Sequence, residues 1–210
     1  NIFCTAILLP AASLLEKLAM RIIPDGKSEQ GKISTLDDRL LATPPLALQQ
    51  SSTAAVSMAN CAVNAMKSAM ESVWSYAPAL ADKIREEENR TDKYEDMLGT
   101  YLLKLGAEPL SDAASEEVTE LLKLIGDFER IGDHAVNVLE SAEELHDKKL
   151  DFSESAKHEM KTMMAALCDV LDTALRSFVN NDVESAKLVE PLEQVIDDLK
   201  RELRTRHIQR

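Results

Sequence analysis

The chain has 210 residues, a formal net charge of −13 and only 4% aromatic residues. A composition dominated by Ala, Leu, Glu, Lys, Met and Asp, with six glycines and seven prolines, is typical of an all-α protein. The excess of 37 acidic over 24 basic residues argues against a nucleic-acid partner, because binding to a phosphate backbone requires clustered Lys and Arg.

The first 35 residues differ from the rest of the chain. Residues 2–15 are apolar and uncharged, an amphipathic basic stretch follows, and residues 24–35 have the Pro, Gly and Ser content of a linker. The apolar run is shorter than the roughly 20 residues that span a bilayer. Two interpretations stay open from these residues: the end of a membrane helix, or an amphipathic helix that covers a bundle. Because the chain starts with Asn1 and ends in helical register, we expect it to be part of a longer protein.

Downstream of residue 35 the hydrophobic periodicity predicts five helices. Thr43, followed by two prolines, has the pattern of an N-cap with proline in the first turn. The five predicted helices run from there to Tyr76, from Pro78 to about Leu105, from beyond Ser111 to about Lys148, over about 153–180, and from there to the end of the chain.

A weak internal repeat relates the two halves of this helical region. The 36 residues from Met70 align without gaps on those from Leu175, an offset of 105 residues. In this alignment Glu88 falls on Glu193 and Asp92 on Asp197, so the second half repeats an acidic pair of the first. The repeat unit would be three helices, and the second copy lacks its third.

Acidic pairs four residues apart are the main functional signal. The pairs are Glu88 with Asp92, Glu129 with Asp133, and Glu193 with Asp197. A four-residue step places both members on one helix face, where like charges repel. Because consecutive antiparallel helices can bring two such stripes together, the pattern predicts a metal site, with Glu95 and Asn137 as further ligands. Oxygen ligands favour hard cations such as iron, Mn²⁺, Mg²⁺ or Ca²⁺.

Two other interpretations remain open. The acidic stripes could be solvated faces softened by Arg90, Arg130 and Lys93, which would leave a metal-free helical adapter. Glu143 and His146 form one Glu-x-x-His pair, and di-metal oxidases and iron-storage bundles use two. No nucleophile elbow, Gly-rich phosphate loop or Cys–His pair is visible, so nothing in the sequence indicates an enzyme.

The third predicted helix carries a motif that resembles a known family. Residues 128–138, FERIGDHAVNV, resemble the PhoU signature, and the other acidic pairs are similar to the second acidic motif of that family's repeat. The resemblance covers about residues 40–210. It implies a fold of two three-helix bundles and multinuclear metal sites, often of iron, on the acidic pairs. It also implies negative regulation of phosphate uptake.

The upstream stretch extends this resemblance. Residues 36–50, LDDRLLATPPLALQQ, are similar to the segment that joins the membrane domain of bacterial sodium/phosphate cotransporters to a PhoU-like domain. This implies three parts: the end of a membrane helix with its linker over 1–35, a first bundle over 36–150, and a truncated second bundle over 151–210. The implied location is the cytoplasmic side of the bacterial inner membrane. The implied partners are the transport domain of the same polypeptide, phosphate held through the metal, and further copies of the chain.

Overall fold

The computed structural model describes residues 36–209. The membrane-helix prediction for the first 35 residues lies outside this range. The described residues form a short 3₁₀ helix, Asp38–Ala42, followed by six α-helices. These are α1 Pro44–Ser72, α2 Pro78–Gly106, α3 Asp112–Asp147, α4 Glu154–Asn180, α5 Val183–Ala186 and α6 Val189–Gln209. No strand occurs among them, which confirms the all-α prediction.

Helices α1, α2 and α3 all pack against one another. Helix α3 buries a seam of seven residues along one face, from Val118 to Ala142, and α2 buries Ile84, Leu98 and Leu105 among others. In α1 the buried positions are mostly small residues, which lets the other two helices approach its backbone closely. The core is therefore built from small side chains on α1 and larger aliphatic ones on α2 and α3.

Helices α4, α5 and α6 follow this bundle. Helix α4 packs against α6 and α5 and also against α1, and Lys67 on α1 forms an ion pair with Asp172 on α4. The division into bundles at residues 150 and 151 remains a prediction. None of the described helices is long and apolar enough to cross a membrane.

Two local expectations differ from the structure. The fifth predicted helix is interrupted, because α5 ends at Ala186 and α6 begins at Val189. Pro191 has no N–H to donate, so it fits the first turn of a new helix but not the interior of a continuous one. Thr43 precedes α1 as predicted, but its side chain makes no capping hydrogen bond.

Candidate metal centre

The predicted site lies where Gly132 of α3 packs against α2. Gly132 is buried in α3, and a Cβ added there would lie 3.6 Å from Thr91 and 3.8 Å from Glu88. Thr91 is itself fully buried, and its hydroxyl donates to the carbonyl of Glu87 at 2.9 Å. The absence of a side chain at Gly132 therefore brings the backbone of α3 next to the acidic stripe of α2.

Three carboxylates converge at this crossing. Glu88 and Asp92 come from α2 and Asp133 comes from α3, and one carboxylate oxygen of each lies within 4.8 Å of the others. Glu88 is half-buried, while Asp92 and Asp133 are exposed at the rim. The packing of α2 on α3 thus brings both members of one predicted pair, Glu88 and Asp92, together with one member of a second pair, Asp133.

Crowding raises the pKa values of two of these carboxyl groups, Glu88 and Asp92. The pKa of Glu88 is raised above its usual value, first by partial burial and then by the charges of Asp92 and Asp133. The pKa of Asp92 is raised in the same way by partial burial, by Asp133 and by Asp96. Glu88 and Asp92 are therefore harder to ionise than in water, because burial and like charges both disfavour the charged form.

Glu129 belongs to the electrostatic neighbourhood of this cluster. It lies one turn before Asp133 on α3 and is half-buried. Its pKa is raised by burial, by the charge of Asp133 and a hydrogen bond with it, and then by Glu95 and Asp92. Glu129 thus interacts electrostatically with two of the three converging carboxylates and with Glu95, and the role of Glu129 and Glu95 as metal ligands remains a prediction.

Other predicted residues lie elsewhere. Asn137 is exposed and lines an apolar groove together with His134. Glu193 and Asp197 lie on α6, where both are exposed, and neither belongs to the three-carboxylate group. The sequence pattern above did not include Asp96. This residue lies four positions after Asp92, so a further four-residue step along α2 from Glu88 and Asp92 would have identified it.

Two of the three basic residues proposed to soften the acidic face, Arg90 and Arg130, pair with other carboxylates. Arg90 pairs with Glu87 at 3.1 Å, and Arg130 has its nearest acidic partner in Asp127 at 3.9 Å. None of the ion pairs within residues 36–209 involves Glu88, Asp92 or Asp133. The negative charge of the cluster is therefore not cancelled by a neighbouring Lys or Arg.

The donor set fits a hard cation. All three groups offer carboxylate oxygens, and two ligands of one ion can lie at most twice the bond length apart. For metal–oxygen bonds of about 2.0–2.6 Å this limit is roughly 4–5 Å, which is comparable with the 4.8 Å span of the cluster. The half-exposed position leaves room for water or an anion to complete the coordination.

The single Glu-x-x-His pair has other contacts. Glu143 accepts hydrogen bonds from Arg85 at 2.7 Å and from Tyr76 at 3.3 Å. The ring of His146 lies 4.7 Å from that of Tyr76. These contacts tie the end of α3 to the α1–α2 turn, so the pair has a structural role at the end of the bundle.

The fold and the site define a class of protein: a helical bundle with carboxylates gathered between two of its helices. Comparison with known proteins finds a similar family and a similar relative. Residues 55–142 match the family described as the PhoU domain, a range that contains all of α2, α1 from Ala55 onwards, and α3 as far as Ala142. These helices carry all three converging carboxylates.

One curated relative also matches. The chain is 28% identical over 141 residues to the phosphate-specific transport system accessory protein PhoU homolog 1 of Thermotoga maritima. The matched region covers 66% of this chain and 60% of that relative, so the chain spans about 60% of its length. No solved structure matches the chain. The two similarities support a PhoU-like domain in this chain, as the motif of α3 indicated.

Proposed function

We propose that this chain is a metal-binding regulatory module that modulates phosphate transport. The observation that carries the proposal is the convergence of Glu88, Asp92 and Asp133 within 4.8 Å, inside the region similar to the PhoU domain. A hard cation bound there would neutralise the mutual repulsion of the carboxylates and link α2 to α3. Glu129 would then complete or orient the coordination from the adjacent turn.

The metal claim is tested on the purified chain. Metal content is measured by mass spectrometry after loading separately with Fe³⁺, Mn²⁺, Mg²⁺ and Ca²⁺, and affinity is measured by calorimetry. The Glu129→Ala, Asp133→Ala double variant should lose bound metal. Retention of full metal content by this variant would refute the site.

A matched control comes from the same chain. The Glu193→Ala, Asp197→Ala double variant removes an acidic pair of identical spacing on α6, where no third carboxylate is gathered. It should keep the metal content of the unsubstituted chain. Equal loss in both double variants would point instead to nonspecific binding by acidic helix faces.

The link to phosphate follows from the chemistry of a half-exposed cation. A hard metal ion with open coordination positions binds phosphate oxygens, so phosphate should bind to the metal-loaded chain and not to the chelator-treated one. Phosphate binding that is unchanged by chelator would disconnect the anion from this site.

We further propose that the module acts on a sodium-dependent phosphate transporter, as part of the same polypeptide, at the cytoplasmic side of the bacterial inner membrane. The similarity of residues 36–50 to a cotransporter segment supports this. Phosphate uptake should be compared in cells whose chromosomal copy carries either Asp133→Asn or Asp197→Asn. A change in uptake with the first and not the second supports the proposal. Unchanged sodium-dependent uptake with both would refute it.

A further inference from the structure

A second group of polar side chains lies beside the carboxylate cluster, between α1 and α2. It consists of Cys61 on α1 and of Glu87 and Arg90 on α2. Cys61 is buried, and the two charged side chains are mostly buried. The thiol of Cys61 donates a hydrogen bond to the carboxylate of Glu87, which also accepts one from Nη1 of Arg90 at 3.1 Å. Glu87 is the neighbour of Glu88 in the chain, but it contacts α1 and not α3.

The ion pair of this group is a poor means of stabilising the bundle. A mostly buried ion pair loses hydration, and apolar residues of similar volume often stabilise such a contact as well or better. The Nε of Arg90 is also buried without a hydrogen-bond partner among the described residues, which costs further stability. Burial, followed by the hydrogen bond and charge of Glu87, raises the pKa of Cys61 to about 12. The thiol therefore stays protonated at neutral pH and remains a donor.

The buried surface of α1 around Cys61 offers few large side chains. Packed helices usually fix their relative rotation by fitting ridges of side chains into grooves, and alanine forms only shallow ridges. A hydrogen bond, by contrast, has a preferred direction. The contact between Cys61 and Glu87 thus restrains the rotation of α2 where packing restrains it weakly. The buried alanines near Cys61 are Ala54, Ala55, Ala59, Ala62 and Ala65.

The rotation of α2 determines whether the cluster can hold a cation. Glu88 lies about 100° round the helix from Glu87, and its Cγ is 3.8 Å from the place that a Cβ on Gly132 would take. A helix with its side chains has a radius of about 5–6 Å, so a rotation of about 10° moves a carboxylate by about 1 Å. Ligands need to be held within about 0.5 Å of their working positions. A small rotation would therefore disperse the ligand set.

We propose that Cys61, acting through Glu87, positions Glu88 and Asp92 for metal binding by fixing the rotation of α2. This inference rests on the proposed metal site. Cys61 lies outside the group of three carboxylates and acts only through its hydrogen bond. Loss of the donor should therefore weaken metal binding, and a replacement donor at the same position should restore it.

Calorimetry with Mn²⁺ on the whole chain tests this role. Cys61→Val fills the position without a donor and should weaken Mn²⁺ binding by roughly 10–100-fold, as loss of an outer-shell partner does elsewhere. Cys61→Ser keeps a donor and should bind Mn²⁺ nearly as tightly as the unsubstituted chain. Equal weakening by both variants, or none by Cys61→Val, would overturn the proposal.

A matched control separates positioning from general destabilisation. Val63 is as buried as Cys61 on α1, at 4% exposure each, but it lies about 200° from Cys61 round the helix. Val63→Ala should therefore lower Tm and leave the affinity for Mn²⁺ unchanged. A loss of affinity equal to that of Cys61→Val would reduce Cys61 to an ordinary core residue.

A measurement without metal distinguishes this inference from the proposed function. In chelator, the repulsion between Glu88 and Asp133 is the non-additivity of Glu88→Gln and Asp133→Asn in the free energy of unfolding. It should be clearly smaller in a Cys61→Val background, because α2 no longer holds Glu88 towards α3. Equal repulsion in both backgrounds, or none in the unsubstituted chain, would refute the positioning role. If the unsubstituted chain binds no Mn²⁺ but Cys61→Val still removes the repulsion, the proposed function fails and the positioning of Glu88 stands.

Discussion

Replacing Asp133 by Asn separates the electrostatic cost of the acidic cluster from its use as a metal site. In the chelator-treated protein, Asp133 repels both Glu88 and Asp92 across at most 4.8 Å. With the dielectric constant of water each pair costs roughly 0.9 kcal/mol, and screening at about 0.1 M salt lowers this to about 0.5 kcal/mol. Removing one charge while keeping the shape of the side chain should therefore stabilise the metal-free protein by about 1 kcal/mol.

The assay is thermal unfolding with chelator and with metal. For a chain of this size 1 kcal/mol corresponds to a rise in Tm of about 2–4 °C, so the variant should melt higher than the unsubstituted protein without metal. Metal at about 100 times its Kd should stabilise the unsubstituted protein by roughly 2.7 kcal/mol. A tenfold loss of affinity in the variant would reduce that gain by about 1.4 kcal/mol.

The expected result is thus a higher Tm without metal and a metal-induced shift reduced by about half or more. The control is Asp197→Asn, which removes an acidic side chain on α6, away from the cluster. This variant should show the same metal-induced rise in Tm as the unsubstituted protein. If Asp133→Asn instead melts at or below the unsubstituted protein in chelator, with an unchanged response to metal, then neither repulsion nor ligation operates at this crossing.

Three further predictions follow from the same packing. Burial and the charge of Asp133 raise the pKa of Glu129. The contribution of Glu129 to stability is therefore complete below the ordinary carboxyl pKa and is lost as pH rises through the raised pKa of the folded state. In chelator, the free energy of unfolding of the unsubstituted chain relative to Glu129→Gln should therefore fall as pH rises above the ordinary carboxyl pKa of 4.5. A difference that does not change with pH would contradict the assignment. Gly132→Leu should push α2 away from α3 at Thr91 and lower the free energy of unfolding by roughly 1–3 kcal/mol. The same variant should bind metal more weakly in calorimetry. Unchanged metal affinity would mean that the contact between α2 and α3 does not position the ligands. Leu139→Ala empties a fully buried position and should cost about 2–5 kcal/mol in denaturant unfolding, whereas Leu103→Ala, at a position 67% exposed, should change stability by about 0.5 kcal/mol or less.

The sequence by itself determined the helices and the face that each presents. Apolar residues three and four apart specify one side of a helix whatever surrounds it, and the α3 seam from Val118 to Ala142 is buried almost residue for residue. Proline acted in the same local way, since Pro44 and Pro78 begin α1 and α2. The apolar pattern alone predicted one continuous fifth helix. It missed the break before Val189, because Pro191 favours the first turn of a new helix.

Only the tertiary structure decided which acidic pairs meet. A four-residue spacing places two carboxylates on one face, but it does not specify which helix lies opposite that face. The buried contact between Gly132 and Thr91 brings Asp133 to Glu88 and Asp92, while an identical spacing on α6 leaves its pair exposed. The difference arises because ligand distances depend on how two backbones cross, and that crossing is set by packing over the whole bundle.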